Sequence, residues 1–367
     1  MLKSLMQGLD QKGLEAVVNS YDLKALYYPT LFPLKQTYGL NIKALEAQTG
    51  LRIAGDLVAR GATIDAKTRE AINKIMADIP KIAIKREMDE NELNEYDIML
   101  AMTSGNRNLR QLVEVWANDT EYCWNGVANR LEWMALQTLS RGTVTITDNN
   151  NQSVVTEYDL DYQMPSDQRI GYISDAWSNA SSAKPITRDF KVVVETAKAK
   201  GFNVKHAFMS LETFSELAQT DEAIKMSASF AQNALNIAYT PGINELNSAL
   251  RQQAYLYGLQ IHVIDQSITI ELPNGERKTV NPFEEGKVTF TEGTTMGNTY
   301  YKTPADMNVK GSVALKTLNG HTCIKKYSTE EPLTEVTVGV ANALPVWTSS
   351  NRSIILDTKN SSFTLAQ

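Results

Sequence analysis

Three histidines, two cysteines and one dense run of carboxylates are the side chains through which this chain of 367 residues could do chemistry. His206, His262 and His321 are the imidazoles, and none has a second histidine or a cysteine at the i+3 or i+4 spacing of a local metal site. His206 and His262 lie in the apolar runs Val204 to Met209 and Leu259 to Ile264, where an imidazole commonly satisfies a neighbouring backbone group. A catalytic histidine pair is the lesser reading. Cys123 and Cys323 stand 200 residues apart and make neither a disulfide framework nor a Cys-x-x-Cys clip, which fits a reducing compartment. Glu87, Asp89, Glu90, Glu92, Glu95 and Asp97 could gather around a divalent cation, but they lack the alternating ligands and central glycine of a calcium loop. A solvated or interface charge patch fits them better.

Nucleotide, hydride-transfer and hydrolytic motifs are absent: there is no Gly-x-x-x-x-Gly-Lys-Ser/Thr, Gly-x-Gly-x-x-Gly, His-Glu-x-x-His or Gly-x-Ser-x-Gly. The glycines of Gly293-Thr-Thr-Met-Gly297 precede no helix-forming run that could bind an anion at its N-terminus, so they read as a turn. No catalytic, cofactor-binding or metal-binding residue is assigned. An enzyme with an α/β core would need a site that these residues do not supply.

The elements that carry these residues belong to a globular protein. Apolar residues make up 43% and charged residues 21%, which excludes collagen-like, low-complexity and strongly disordered classes. The length favours two domains, or one domain with large excursions. A net charge of -6 offers no basic field for sequence-independent DNA binding. Met1 to Asp10 shows no secretory pattern, and the longest apolar string, Ile98 to Met102, is far too short to span a membrane.

Leu2 to Val18 is amphipathic, and the Tyr27 to Pro33 segment, with Pro29 and Pro33, prefers an extended path, so the chain opens as an arm. Leu40 to Ile64 alternates, is punctuated by Gly50, Gly55 and Gly61, and reads as a long two-stranded excursion, with a short helix over Lys67 to Ala77. Leu40 to Met88 holds nine Lys plus Arg against six Asp plus Glu, a net of +3, and the nine residues Asp89 to Asp97 hold five acids. A basic finger therefore adjoins an acidic base. Asn108 to Arg141 carries Leu109, Leu112, Val113, Trp116, Cys123, Trp124, Val127, Leu131, Met134 and Ala135 on one helical face. Ser104 or Asn106 offers its N-cap and Gly142 its stop.

A hairpin is expected over Val144 to Tyr158. Helices follow at Asp189 to Lys200, Leu211 to Ala218, Asp221 to Ile237 and Asn244 to Tyr255, with strands at Lys205 to Met209, Leu259 to Val263 and Lys287 to Thr291. Another hairpin turns around Pro273 to Glu276. The tail carries strands near Val313 to Leu318, Cys323 to Lys326, Leu333 to Val340 and Ile354 to Asp357, broken by Pro345, and is expected to return to the long-helix domain.

This order of parts, an extended arm, a charged hairpin, one very long helix, a mixed domain and a returning β tail, resembles a tailed-phage major capsid protein of the Hong Kong 97 fold, an α+β architecture. Tyr28-Pro29 and Phe32-Pro33, Lys85-Arg86-Glu87-Met88-Asp89, Glu335 to Val346 and Arg352-Ser-Ile-Ile-Leu-Asp357 are most similar to the lambda-type, capsid protein E-like branch. The resemblance implies an N-terminal arm at 1–33 and an E-loop at 34–88. It implies a P domain at 89–184 with its spine helix at 108–141, an A domain at 185–306, and return strands at 307–367 completing the P domain. It implies a protein that builds an icosahedral head from hexamers and pentamers in the bacterial host cytoplasm. DNA would be enclosed without being read. Portal and scaffolding proteins are the partners it implies, with a decoration protein as a further candidate. No covalent cross-link and no cofactor are expected. An encapsulin-like compartment shares the fold and is the first alternative; an α/β enzyme is the second.

Overall fold

The computed structural model describes residues 11–47, 72–102, 118–147, 149–151, 158–228, 239–256, 258–272, 274–309 and 314–365. The long helix, Asp119–Arg141, spans 23 residues, or roughly 35 Å. Asn118 begins it: its side-chain oxygen accepts the Glu121 N–H at 3.2 Å and its carbonyl accepts the Tyr122 N–H. Asp119 and Glu121 stand in the first turn and Arg141 in the last, each matching the sign of the helix dipole. Gly142, at φ +73°, ends it by donating to the Thr138 carbonyl.

The described helix thus starts at Asp119 rather than Asn108. Residues 108–117, and the expected caps Ser104 and Asn106, lie outside the described residues. The apolar spacing did not register the boundary because Asn118-Asp119-Thr120 breaks it only with polar side chains, whose hydrogen bonding competes with the helical ladder. Cys123, Trp124, Val127, Leu131, Met134 and Ala135 are buried as their spacing requires. From Leu131 to Ser140 the helix is buried nearly all round, as befits a core element.

Two compact units divide the chain. The first gathers Met1–Ile42, Asp78–Glu132 and Asn298–Pro345; the second gathers Lys43–Ala77, Trp133–Gly297 and Val346–Gln367. Both the long helix and the strand Leu333–Trp347 run from one unit into the other.

In the first unit a six-stranded sheet has the order β1 (Leu34–Gln36), β13 (Gly297–Lys302), β16 (Leu333–Trp347), β15 (Thr322–Glu330) and β14 (Leu315–Asn319), with β4 (Lys81–Met88) also paired to β16. β15 and β16 pair antiparallel from Glu330↔Leu333 to Thr322↔Ala341, around a turn whose Glu331–Pro332 bond is cis. β4 lies antiparallel on β16 from Met88↔Glu335 to Lys81↔Asn342. The finger is therefore shorter than residues 34–88: its strands are β2 (Asn41–Ala47) and β3 (Ile72–Asp78), which pair with each other, while Lys81–Met88 is sheet. Gly50, Gly55 and Gly61 lie outside the described residues. The helix expected over Lys67 to Ala77 is replaced at its described end by β3, since pairing with β2 overrides local helix propensity.

Pro345 does not break β16, which continues to Trp347. The registers with β15 and β4 end at Ala341 and Asn342, so the missing proline N–H removes no bond from either ladder. The Gly and Pro-rich stretch before Asp306 likewise contains a strand, β13. Gly297 begins it because a Cβ there would lie 2.0 Å from the Val346 carbonyl oxygen.

In the second unit the sheet order is β7 (Arg169–Gly171), β17 (Ser353–Asp357), β12 (Lys287–Thr291), β8 (His206–Ser210) and β9 (Gln260–Ile264). β17 pairs with β12 and β7, so the tail does not return as one block to the first sheet. All five of its residues are buried, which only an interior strand allows. Phe190, Val193, Val194, Ala207, Met209, Leu246, Ile261, Val288, Phe290, Ile354 and Leu356 form the core on one face. On the other, Thr289 donates to the Leu139 carbonyl of the long helix at 2.6 Å. Edge strand β9 is covered by Asn247, whose side chain accepts from the Ile261 N–H at 2.7 Å and donates to the Ile261 carbonyl at 3.1 Å.

The expected hairpins appear as β5 (Thr143–Ile146) with β6 (Tyr158–Asp161), and β10 (Ile268–Glu271) with β11 (Arg277–Val280). A π-helical turn, Pro185–Phe190, leads into Lys191–Ala199, and helices Leu211–Gln219 and Ile243–Arg251 match their expected positions. The helix expected over Asp221 to Ile237 ends at Ser227, where Ala228 turns extended; residues 229–238 lie outside the described residues.

Candidate assembly site

The arm is anchored by one buried carboxylate. Tyr27 and Tyr28 donate their N–H groups to the two oxygens of Glu132, at 2.9 and 2.7 Å, and Glu132 is fully buried. These are orphan donors at the start of a four-residue helix, Tyr28–Leu31, with Pro29 in its first turn. The Tyr27 to Pro33 segment is therefore not simply extended: Pro29 opens a helical turn because its fixed φ suits that position and its lost N–H is one the helix does not use. Burial pushes the Glu132 carboxyl above the usual carboxylate range, against the lowering effect of the two N–H bonds.

Beyond this turn Tyr28 places its hydroxyl 3.1 Å from His321 Nε2, and its ring meets the imidazole edge-on. Thr299 then fixes the Phe32 carbonyl at 2.9 Å, and β1 joins β13 in parallel. Before it, the helix Gln11–Asn19 buries Leu14 and Val18 against Cys123, Trp124, Leu315 and Ile324. Gln11 brackets Lys316 with two side-chain bonds to its backbone. Residues before Gln11 lie outside the described residues.

The acidic run has a structural role that its composition alone did not reveal. Asp89 accepts the Glu92 N–H at 2.9 Å while Glu92 accepts the Asp89 N–H at 3.2 Å, a capping box opening the helix Glu90–Met102. The Asp89-x-x-Glu92 pattern was the available signal. Leu93 packs with Met88, Tyr96 and Leu333, whereas Ile98 and Met102 are exposed. Tyr38, at 96% exposure, and Leu40 stand outside the fold at the root of the finger.

Close by in the first unit, Lys326 and Glu335 form a pair at 3.7 Å, both essentially inaccessible, and Arg86 reaches Asp119 at 3.3 Å. Burial raises the Asp119 carboxyl while Lys326 and Arg86 lower it. Cys123 and Cys323 are free, buried thiols; burial pushes Cys123 up to about 12 and Cys323 up to about 11. Gly293 leads no helix, in keeping with a turn.

The fold brings the other two histidines together: His206 Nδ1 and His262 Nε2 are 2.9 Å apart on the neighbouring strands β8 and β9. Among the described residues no group of three or more His, Cys, Asp or Glu side chains gathers to hold a metal ion. Nor, among them, is any helix long and apolar enough to cross a membrane.

The family model for phage major capsid protein E matches residues 16–357. The chain belongs to that family. No curated protein matches it in sequence. Among solved structures, one described as a capsid protein of a prophage from E. coli CFT073 matches with a TM-score of 0.58 at 14% identity, over 95% of this chain and 99% of its own. The capsid of cyanophage A-1(L) matches with a TM-score of 0.54 at 10% identity, over 95% and 97%. Identities this low show the fold: an α+β phage capsid fold of the Hong Kong 97 type, with arm, E-loop, P domain with its long helix, and A domain. As a family E major capsid protein, the chain is a structural protein of the phage head, and the encapsulin-like alternative is not favoured.

Proposed function

We propose that this capsid protein builds an icosahedral head by placing copies of itself in hexamers and pentamers, and that it catalyses no reaction. The family match over residues 16–357 carries this reading. In support, Tyr38, Leu40, Ile98 and Met102 are exposed.

Residues up to Pro33 act as the arm. The excursion between Leu40 and Ile79 acts as the E-loop, reaching a neighbouring subunit. The first compact unit corresponds to most of the P domain and the second to the A domain with the rest of the helix. Portal and scaffolding proteins, and a decoration protein, are the proposed partners. Assembly takes place in the host cytoplasm, and the net charge of -6 suits a shell that encloses DNA without gripping it.

Purified protein, with or without a scaffold, is expected to show closed shells or five- and six-membered rings in negative stain. A chain that sediments as a monomer at high concentration and turns over small molecules in a broad hydrolase and transferase screen would overturn the reading.

A further inference from the structure

His206 and His262 are brought into contact by the parallel register of β8 and β9, in which Phe208 stands opposite His262 and Gln260 opposite His206. Their ring centroids are 5.0 Å apart, and Phe208 stacks on His262 at 4.9 Å and 19°, which fixes that ring. Both imidazoles are half-buried, so one side of the pair remains open to water. The facing atoms, His206 Nδ1 and His262 Nε2, are 2.9 Å apart. Two nitrogen ligands at right angles around a metal, each bonded at ~2.0 to 2.1 Å, are separated by about 2.9 Å.

We propose that His206 and His262 form a two-imidazole chelate for a borderline divalent transition cation of the copper(II) or nickel(II) class. Right-angle ligation suits the square-planar or tetragonal sites these ions prefer, whereas tetrahedral zinc would need the nitrogens to move apart. Hard cations such as magnesium and calcium require oxygen ligands, and the charge acting on His206 is the Lys205 ammonium. Burial lowers both histidines below their ordinary value, and Lys205 acts on His206 and His206 on His262 in the same direction. Both rings are therefore neutral at pH 7, and a metal meets little competition from protons.

Without metal, one ring donates its N–H to the other across the 2.9 Å gap. On binding, that proton moves to the outer nitrogen of its own ring, so His206 carries hydrogen on Nε2 and His262 on Nδ1. The two inner lone pairs then face the cation and no net proton is released from the neutral pair. Water fills the remaining positions on the open side.

The test is copper(II) chloride titrated into the untagged full-length chain at pH 7.5, followed by calorimetry and by electron paramagnetic resonance. One site per chain with two coupled nitrogens is expected. Affinity should fall at least tenfold in His206→Asn and in His262→Asn separately. Nickel(II) should compete and magnesium should not. Equal copper binding by the His206→Asn/His262→Asn double variant, with unchanged circular dichroism, would overturn the proposal, as would no saturable site in the wild type. If the double variant fails to fold, the wild-type spectrum decides: fewer than two coupled nitrogens refutes the chelate.

Discussion

Glu132, fully buried in the long helix, accepts the backbone N–H of Tyr28 at 2.7 Å across 104 residues of chain. Its other oxygen takes the Tyr27 N–H, so one side chain satisfies both donors at the point where the arm enters the fold. Glu132→Ala removes the acceptor of the buried Tyr28 N–H, at a cost of ~1 to 3 kcal/mol, and of the part-buried Tyr27 N–H. The arm should then loosen before the rest of the subunit. Limited proteolysis is expected to cut ahead of Leu34 in the variant under conditions that spare the wild type. An unchanged cleavage pattern and unfolding midpoint would place the anchor elsewhere.

Glu132 and His321, on either side of Tyr28, should contribute to pH dependence with opposite signs. Burial lowers His321 to about 4, so between 6.5 and that value the unfolded chain binds a proton that the native chain refuses. Stability from this group is therefore present above pH 6.5 and lost as pH falls toward 4. Glu132 is raised by burial, so the native chain holds its proton more tightly than the unfolded one. That contribution is present below about pH 4.5 and lost as pH rises through the folded value. Urea midpoints across pH 4 to 7.5 should show His321→Gln flattening the acid-side loss, while Glu132→Gln removes a loss that sets in above about pH 4.5. Curves parallel to the wild type in both variants would show that neither group titrates differently on folding.

Two glycines facing the same packing layer should respond differently to one added methyl group. A Cβ on Gly339 would lie 2.6 Å from the Cys123 carbonyl oxygen, where backbone cannot yield cheaply. A Cβ on Gly126 would meet the Ile84 Cδ1 at 2.5 Å, the movable end of a side chain. Gly339→Ala should cost ~1 to 3 kcal/mol or more through overpacking. In Gly126→Ala the helix gains ~1 kcal/mol of propensity, which offsets the rotamer change in Ile84 and leaves the variant near wild type. Thermal unfolding checks the contrast; equal losses would refute it.

What the sequence revealed and concealed follows from the range of the interactions. The buried stripe from Cys123 to Ala135, the strands at His206 and Lys287, and the Asn274-Gly275 hairpin are local patterns, and each is where its spacing puts it. Pairing partners are not local. Nothing in Lys81–Met88 says that it lies on β16, and nothing in Ile354 to Leu356 says that it joins β12 rather than the first sheet. The arm anchor joins residues 104 positions apart, and the histidine pair joins residues 56 apart, so neither spacing carries a motif. The Asp89-Glu92 capping box was legible, but the surrounding acids drew the reading toward charge.

The finger should matter for assembly far more than for folding. β2 and β3 form a two-stranded sheet of their own, and two strands alone are at best marginally stable in water. Their close support is the Ile79 N–H bonded to the Leu40 carbonyl at 2.7 Å, at the root. A deletion must spare Lys81–Met88, since those residues pair with β16 and Ile82 is buried there. Replacing residues 43–77 with a short Gly-Ser linker should therefore leave a subunit with near-normal melting. Assembly should fail, because in the proposed role of the finger each subunit both gives and receives such a contact. A loss of ~1.4 kcal/mol weakens each one tenfold, and a closed shell multiplies the loss. Sedimentation separates the outcomes: normal shells from the deletion would refute the role of the finger, and an unfolded deletion would make it part of the core.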